Sequence, residues 1–84
     1  MSLQHCFHAP DGADFLGWRV TKGGEAQIVH EDAHHHRHIW RLARGFREES
    51  LVEALSLAVT ARRVVPHLMD ELKKRAIEAV PLIG

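Results

Sequence analysis

Histidine side chains give this sequence its most distinctive chemistry, since eight of the 84 residues are histidine. Three of them, His30, His34 and His38, are spaced four residues apart. On one continuous helix this spacing aligns three imidazoles, whose neutral ring nitrogens bind Zn²⁺, Ni²⁺ or Cu²⁺. The pattern predicts a transition-metal site at these residues. The alternative is a solvated histidine-rich surface that binds metal only adventitiously.

The residues from His30 to His34 also match HExxH, in which two histidines on one helix of a zinc protease bind the metal and the glutamate acts as general base. His30 fits a strand equally well, and in that case the two histidines do not share a helix. Asp32 also places a charge where such a helix is normally apolar. Because a pattern this short arises easily by chance in a histidine-rich stretch, we assign no catalytic residues and favour a protein without enzymatic activity.

A group of arginines follows the histidines without an intervening acidic residue. On the helix predicted for this segment, Arg37, Arg41 and Arg44 form a cationic stripe beside Trp40. Such a stripe binds the phosphates of nucleic acid or an acidic partner protein, and a partly exposed Trp40 contacts the same partner. The alternative is solvated arginines paired with nearby carboxylates. Eleven basic and eleven acidic side chains cancel, which opposes nucleic-acid binding.

Apolar and polar residues alternate on both sides of Lys22-Gly23-Gly24, which predicts a β-hairpin. This hairpin positions His30, the first histidine of the cluster. A two-residue loop would mix apolar and polar residues on each face. We therefore predict a three-residue loop with Gly24 in the left-handed conformation. This loop pairs Val20 with Ala26, Trp18 with Ile28 and Leu16 with His30 on one face. A third strand is predicted within Leu3–Ala9.

Helices are predicted after the hairpin. The first runs from about Ala33 to Arg44 with Asp32 as its N-cap. The second begins at Ser50, because Ser50 and Glu53 match a capping box. A third, or a kinked continuation of the second, runs from Pro66 to Val80. The sequence thus predicts an α+β fold: an N-terminal antiparallel β-hairpin, with or without a third strand, packed against two or three C-terminal α-helices.

The second predicted helix is apolar around most of its circumference from Leu51 to Val65. A chain of 84 residues has little material to cover such a helix on all sides. We therefore predict a homodimer whose interface includes Leu57, Ala61 and Val64.

Size and composition limit the remaining possibilities. We expect residues 1–84 to form a single small domain. One cysteine permits no internal disulfide, and we expect neither a membrane span nor a signal peptide, so the protein is expected in the cytoplasm. The leading hypothesis is a non-catalytic interaction or regulatory module without a cofactor, acting as a homodimer or as a small subunit of a complex. Metal binding by the histidines and nucleic-acid binding by the arginines remain the alternatives.

Overall fold

A computed structural model describes residues 5–82, which form five strands and two helices. The elements in chain order are β1 (His5–His8), β2 (Phe15–Val20), β3 (Ala26–Glu31), β4 (Arg37–Leu42), α1 (Glu48–Val59), α2 (Val64–Lys74) and β5 (Ala79–Pro81). The strands form one antiparallel sheet in the order β1-β2-β3-β4-β5. In chain order both helices come between β4 and β5, and these two strands are nevertheless neighbours in the sheet.

The hairpin of β2 and β3 confirms the predicted loop and register. Val20 lies opposite Ala26, Trp18 opposite Ile28 and Leu16 opposite His30. Thr21 closes the turn, because its N–H donates to the Glu25 carbonyl at 2.8 Å and its hydroxyl accepts the Glu25 N–H at 3.1 Å. Gly24 has a φ of +83°, the left-handed conformation that favours glycine. The third predicted strand corresponds to β1, although Leu3 and Gln4 lie outside the described residues.

The core lies between one face of the sheet and the two helices. Alternate residues of each strand point to this face, because successive side chains of a strand lie on opposite sides. The sheet contributes Leu16, Trp18, Ile28, Trp40 and Leu42 to the core. The helices and the segment after them contribute Leu51, Ala54, Leu55, Ala58, Val59, Val64, Leu68, Leu72 and Ile77. Both helices pack on this face, and within residues 5–82 no helix packs on the other face, here called the uncovered face.

The helix predicted from Ala33 to Arg44 is wrong: this segment is a turn followed by β4. Asp32 builds the turn instead of capping a helix. Its carboxylate accepts the backbone N–H groups of His34 and His36, both at 2.9 Å, and these bonds lower the pKa of Asp32. The chain then returns antiparallel to β3. The fold is α+β as predicted, but with five strands and two helices.

The helix boundaries also differ from the prediction. α1 begins at Glu48, so Ser50 lies inside the helix, and no side chain caps its first turn. The break between the helices precedes Val64, and Pro66 occupies the first turn of α2, where its missing N–H has no helical partner to lose. α2 ends at Lys74 rather than at the predicted Val80, because Ala76 adopts a φ of 56°.

Candidate functional site

The uncovered face of the sheet carries the second set of alternating side chains. The strand registers place there Cys6, His8, Phe15, Gly17, Arg19, Gln27, Val29, Glu31, Arg37, Ile39, Arg41 and Val80. An antiparallel sheet with one solvated face normally presents polar residues on that face. This face instead carries a central apolar row flanked by two mostly polar rows, in which Phe15 and Val80 are the apolar members.

The apolar row, here called the apolar band, crosses the whole sheet. Direct pairing aligns Cys6, Gly17, Val29 and Ile39 from β1 to β4. Leu82 continues the row, because its N–H donates to the Ile39 carbonyl at 2.9 Å. Val29 is buried, yet it does not belong to the core cluster on the helix side. Among the described elements none packs on this strip. Its middle is already shielded from solvent, since Val29 is 1% exposed and Gly17 is buried, and its accessible apolar groups are Cys6, Ile39 and Leu82. Exposed apolar groups aligned across a sheet are the feature expected of a contact surface.

In each polar row an arginine donates a hydrogen bond to a side chain of a neighbouring strand. Arg37 donates to Glu31 at 3.0 Å, and this bond lowers the pKa of Glu31. In the other row Arg19 donates to Gln27 at 3.0 Å, and Gln27 in turn donates to Glu25 at 2.9 Å. Both rows therefore carry charges of both signs, fixed beside the apolar band.

The structure brings only Arg41 and Arg44 of the predicted cationic stripe together, at one cleft, and separates them from Arg37 and Trp40. Arg37 and Arg41 lie on the uncovered face, and Arg44 lies in the exposed segment beyond β4. Trp40 points to the opposite face and is 6% exposed, so the predicted partial exposure of this side chain is wrong. The prediction of a partner-binding surface that combines all four residues therefore lacks the helix on which it depended.

The histidines of the predicted metal site also fall on different elements. His30 lies on β3 opposite His38 on β4, whereas His34 lies in the exposed turn between these strands. The imidazole of His34 neighbours His36 instead, with ring centroids 6.2 Å apart. Within residues 5–82 no group of three or more His, Cys, Asp or Glu side chains is placed to hold a metal ion. Metal binding by His30, His34 and His38 stays a prediction, although it loses the helix that would align them, and the protease interpretation loses the helix that HExxH requires.

His30 is the buried titratable group of this cluster. It is 4% exposed, and neither ring nitrogen has a hydrogen-bond partner among the described residues. Burial lowers the pKa of His30, and the partial opposing effect comes from Asp14, whose Oδ1 lies 3.9 Å from Nε2. The imidazole is therefore neutral at physiological pH.

Comparisons with protein families, curated proteins and solved structures found no match to this chain. The function must be argued from the geometry of its own residues. Among the described elements, neither helix has the length and apolar content needed to cross a bilayer.

The residues of the predicted dimer interface do not form one surface. Leu57 is exposed on α1, whereas Val64 is buried in the core and Ala61, in the turn between the helices, is partly buried. Sequence reasoning missed the apolar band, because its residues lie on four strands, β1 to β4, and directly after the fifth. Val29, whose same-face neighbours on β3 are the polar Gln27 and Glu31, was a local signal of a second apolar face.

Proposed function

We propose that this chain is a non-catalytic interaction module that forms a homodimer through the uncovered face of its sheet. The observation that carries the proposal is the apolar band, which runs from Cys6 on one edge strand to Leu82 beside the other. Two sheets pack face to face at about 10 Å, with side chains of the inner faces interdigitating. A second copy stacked in this way removes the accessible Cys6, Ile39 and Leu82 side chains of both bands from water.

Charge complementarity favours a second copy as the occupant. A two-fold interface must be self-complementary, because the same patch is used by both subunits. The rows beside the band carry Arg37 with Glu31 on one side and Arg19, Arg41 and Glu25 on the other. Each row contains positive and negative side chains. The arginines of one copy can therefore pair with the glutamates of the other. The same pairing leaves Arg37 less available for the phosphates of a nucleic acid.

The chemistry of the face favours binding over catalysis. Cys6 Sγ lies 4.0 Å from His8 Nε2, a pair of side chains that serves as nucleophile and base in some enzymes. Desolvation raises the pKa of the Cys6 thiol, and a reactive cysteine requires the opposite shift. The thiol is therefore protonated at neutral pH, and we assign Cys6 to the apolar band rather than to a reaction.

Sedimentation equilibrium of matched variants tests the proposal. Leu82 in the band is 39% exposed and Leu57 on α1 is 45% exposed, so glutamate at either position disturbs the monomer little. We expect a wild-type dimer with a dissociation constant of roughly micromolar order. Leu82→Glu should weaken this dimer at least about tenfold by burying a charge, whereas Leu57→Glu should leave it unchanged.

A second variant at the far end of the band, Cys6→Glu, should weaken the dimer as Leu82→Glu does. A monomeric wild-type protein at about 100 micromolar would refute the proposal. Dissociation by Leu57→Glu alone would instead place the interface on α1, where the sequence predicted it.

A further inference from the structure

A cleft of about 360 Å³ lies at the end of the sheet opposite the histidine-rich turn. Its two sides are the β2–β3 turn and the segment that joins β4 to α1, and its volume falls within the range of small-molecule sites. We call it the turn cleft. Its polar lining comes from Arg41, Arg44 and Glu25, and its apolar lining includes Leu42 and Phe46.

The two arginines of the turn cleft are only weakly neutralised. Arg44 forms no ion pair with any described residue. Arg41 is half exposed, and its Nε is 3.9 Å from Glu25 Oε1, beyond hydrogen-bond distance. The Glu25 carboxylate accepts a hydrogen bond from Gln27 on its other oxygen. Two guanidinium groups against one carboxylate leave the cleft with a net positive charge.

The apolar side of the turn cleft is fixed by the core. Phe46 packs edge-on against the buried Trp18, with ring centroids 6.3 Å apart and an interplanar angle of 90°. Leu42 belongs to the same core cluster. On the opposite side Gly23 and Gly24 carry no side chains, so a ligand can approach the backbone of the turn. The cleft thus offers a rigid apolar wall with cationic groups beside it.

We propose that the turn cleft binds a small organic anion, with its apolar body against Phe46 and its oxyanion on Arg41 and Arg44. Guanidinium groups bind planar carboxylates and phosphates through paired hydrogen bonds, so the shared chemistry is that of an oxyanion. The turn cleft shares Arg41 and Glu25 with one row of the proposed dimer contact, whereas Arg44 and Phe46 lie beyond the sheet. Leu82→Glu leaves every lining residue of the cleft in place, so anion binding measured in this variant is independent of the dimer and tells failure of one proposal from failure of the other.

Titrations followed by the amide resonances of the full chain test this proposal with four probes. Adenosine 5′-monophosphate and phenylacetate each join a flat apolar body to an oxyanion, whereas adenosine lacks the oxyanion and inorganic phosphate lacks the apolar body. We expect at least one of the first two to shift the resonances of Gly23 and Gly24, and to bind more tightly than either of the last two. The tighter-binding of the two anions is then used with the variants.

Variants locate the contact. Arg44→Gln should weaken binding of the preferred anion roughly tenfold, because a charged hydrogen bond is lost. Glu25→Gln should strengthen binding, because the opposing charge of the cleft is removed. Arg62→Gln, an exposed arginine in the turn between the helices, is the matched control and should bind as the wild type does. Absence of any shift with both anions, or equal losses in Arg44→Gln and Arg62→Gln, would overturn the proposal.

Discussion

The imidazole of His30 stacks on that of His38, with ring centroids 5.6 Å apart and planes inclined by 19°. The His30 ring is buried, whereas the His38 ring is exposed to solvent. Protonation of His38 disfavours protonation of His30, while Asp14 and Asp32 favour it. Burial is the largest of these effects, and it holds His30 neutral.

Acidification should destabilise the fold through His30. Because the pKa of His30 is lowered in the folded state, the unfolded chain takes up this proton first as pH falls below about 6.5. The free energy of unfolding should then decrease by up to about 1.4 kcal/mol per pH unit for this one proton. His30→Leu should remove this part of the pH dependence. Urea denaturation at pH 5 and pH 8 measures the difference between the variant and the wild type.

The exposed His34 provides the control for this experiment. His34→Gln should retain the wild-type loss of stability on acidification, because this ring lies in solvent. If His30→Leu and the wild type lose equal free energy between the two pH values, the buried imidazole is not the cause of the acid sensitivity.

Substitution of the two glycines in the hairpin turn should have different effects on stability. Gly24 has a φ of +83°, so Gly24→Ala should destabilise the fold by about 1–2 kcal/mol. At Gly23 an added Cβ would meet only the Thr21 hydroxyl at 3.9 Å, an ordinary contact, and Gly23→Ala should change stability by less than about 1 kcal/mol. Thermal unfolding of both variants measures this contrast. Equal losses would mean that the conformation at Gly24 does not determine the effect.

The hairpin was predictable because its signals are local: alternation on two short segments and a glycine pair between them. β4 was not, because the segment fits two periods at once. Ile39, Leu42 and Ala43 fit helical spacing, while Trp40 and Leu42 fit the alternation of a strand. Hydrogen bonding to β3 selects the strand over the helix, and this pairing depends on the turn built by Asp32.

The uncovered face was unpredictable for a related reason. A band across the sheet exists only once the order and register of all strands are known. β5 has three residues and follows two helices, so nothing near Val80 in the sequence indicates that it pairs with Arg41. The predicted helix from Pro66 to Val80 extended across this strand because apolar spacing alone does not report the left-handed residue at Ala76.

Two leucines on α1 should differ in their contribution to stability according to the face they occupy. Leu55 is fully buried between the sheet and α2, and Leu55→Ala should cost about 2–5 kcal/mol through lost burial and the cavity left behind. Leu57 is exposed, and Leu57→Ala should stay within about 0.5 kcal/mol of the wild type. Urea denaturation curves with equal slopes provide the comparison. A large loss in Leu57→Ala at low protein concentration would show that α1 packs differently.

Arg75 joins the two helices through a pair of carboxylates, and its removal should alter the acid stability of the protein. Its guanidinium donates to the buried Glu71 of α2 at 2.6 Å and to Glu53 of α1. The bond from Arg75 is the largest cause of the lowered pKa of Glu71. A lowered carboxylate pKa stabilises the fold above the unfolded pKa of about 4.3, and this contribution is lost as pH falls through the folded pKa.

Arg75→Gln should therefore be less stable than the wild type at pH 7, and the difference should shrink between pH 7 and about pH 3, because the wild type loses the contribution of ionised Glu71 as pH falls through its lowered pKa. Denaturant unfolding at the two pH values measures this change. Glu53→Gln separates the two partners, since it removes only the contact with α1 and leaves Glu71 bonded to Arg75. A stability difference for Arg75→Gln that is the same at both pH values would show that packing of the arginine side chain, rather than the ionised Glu71, stabilises this junction.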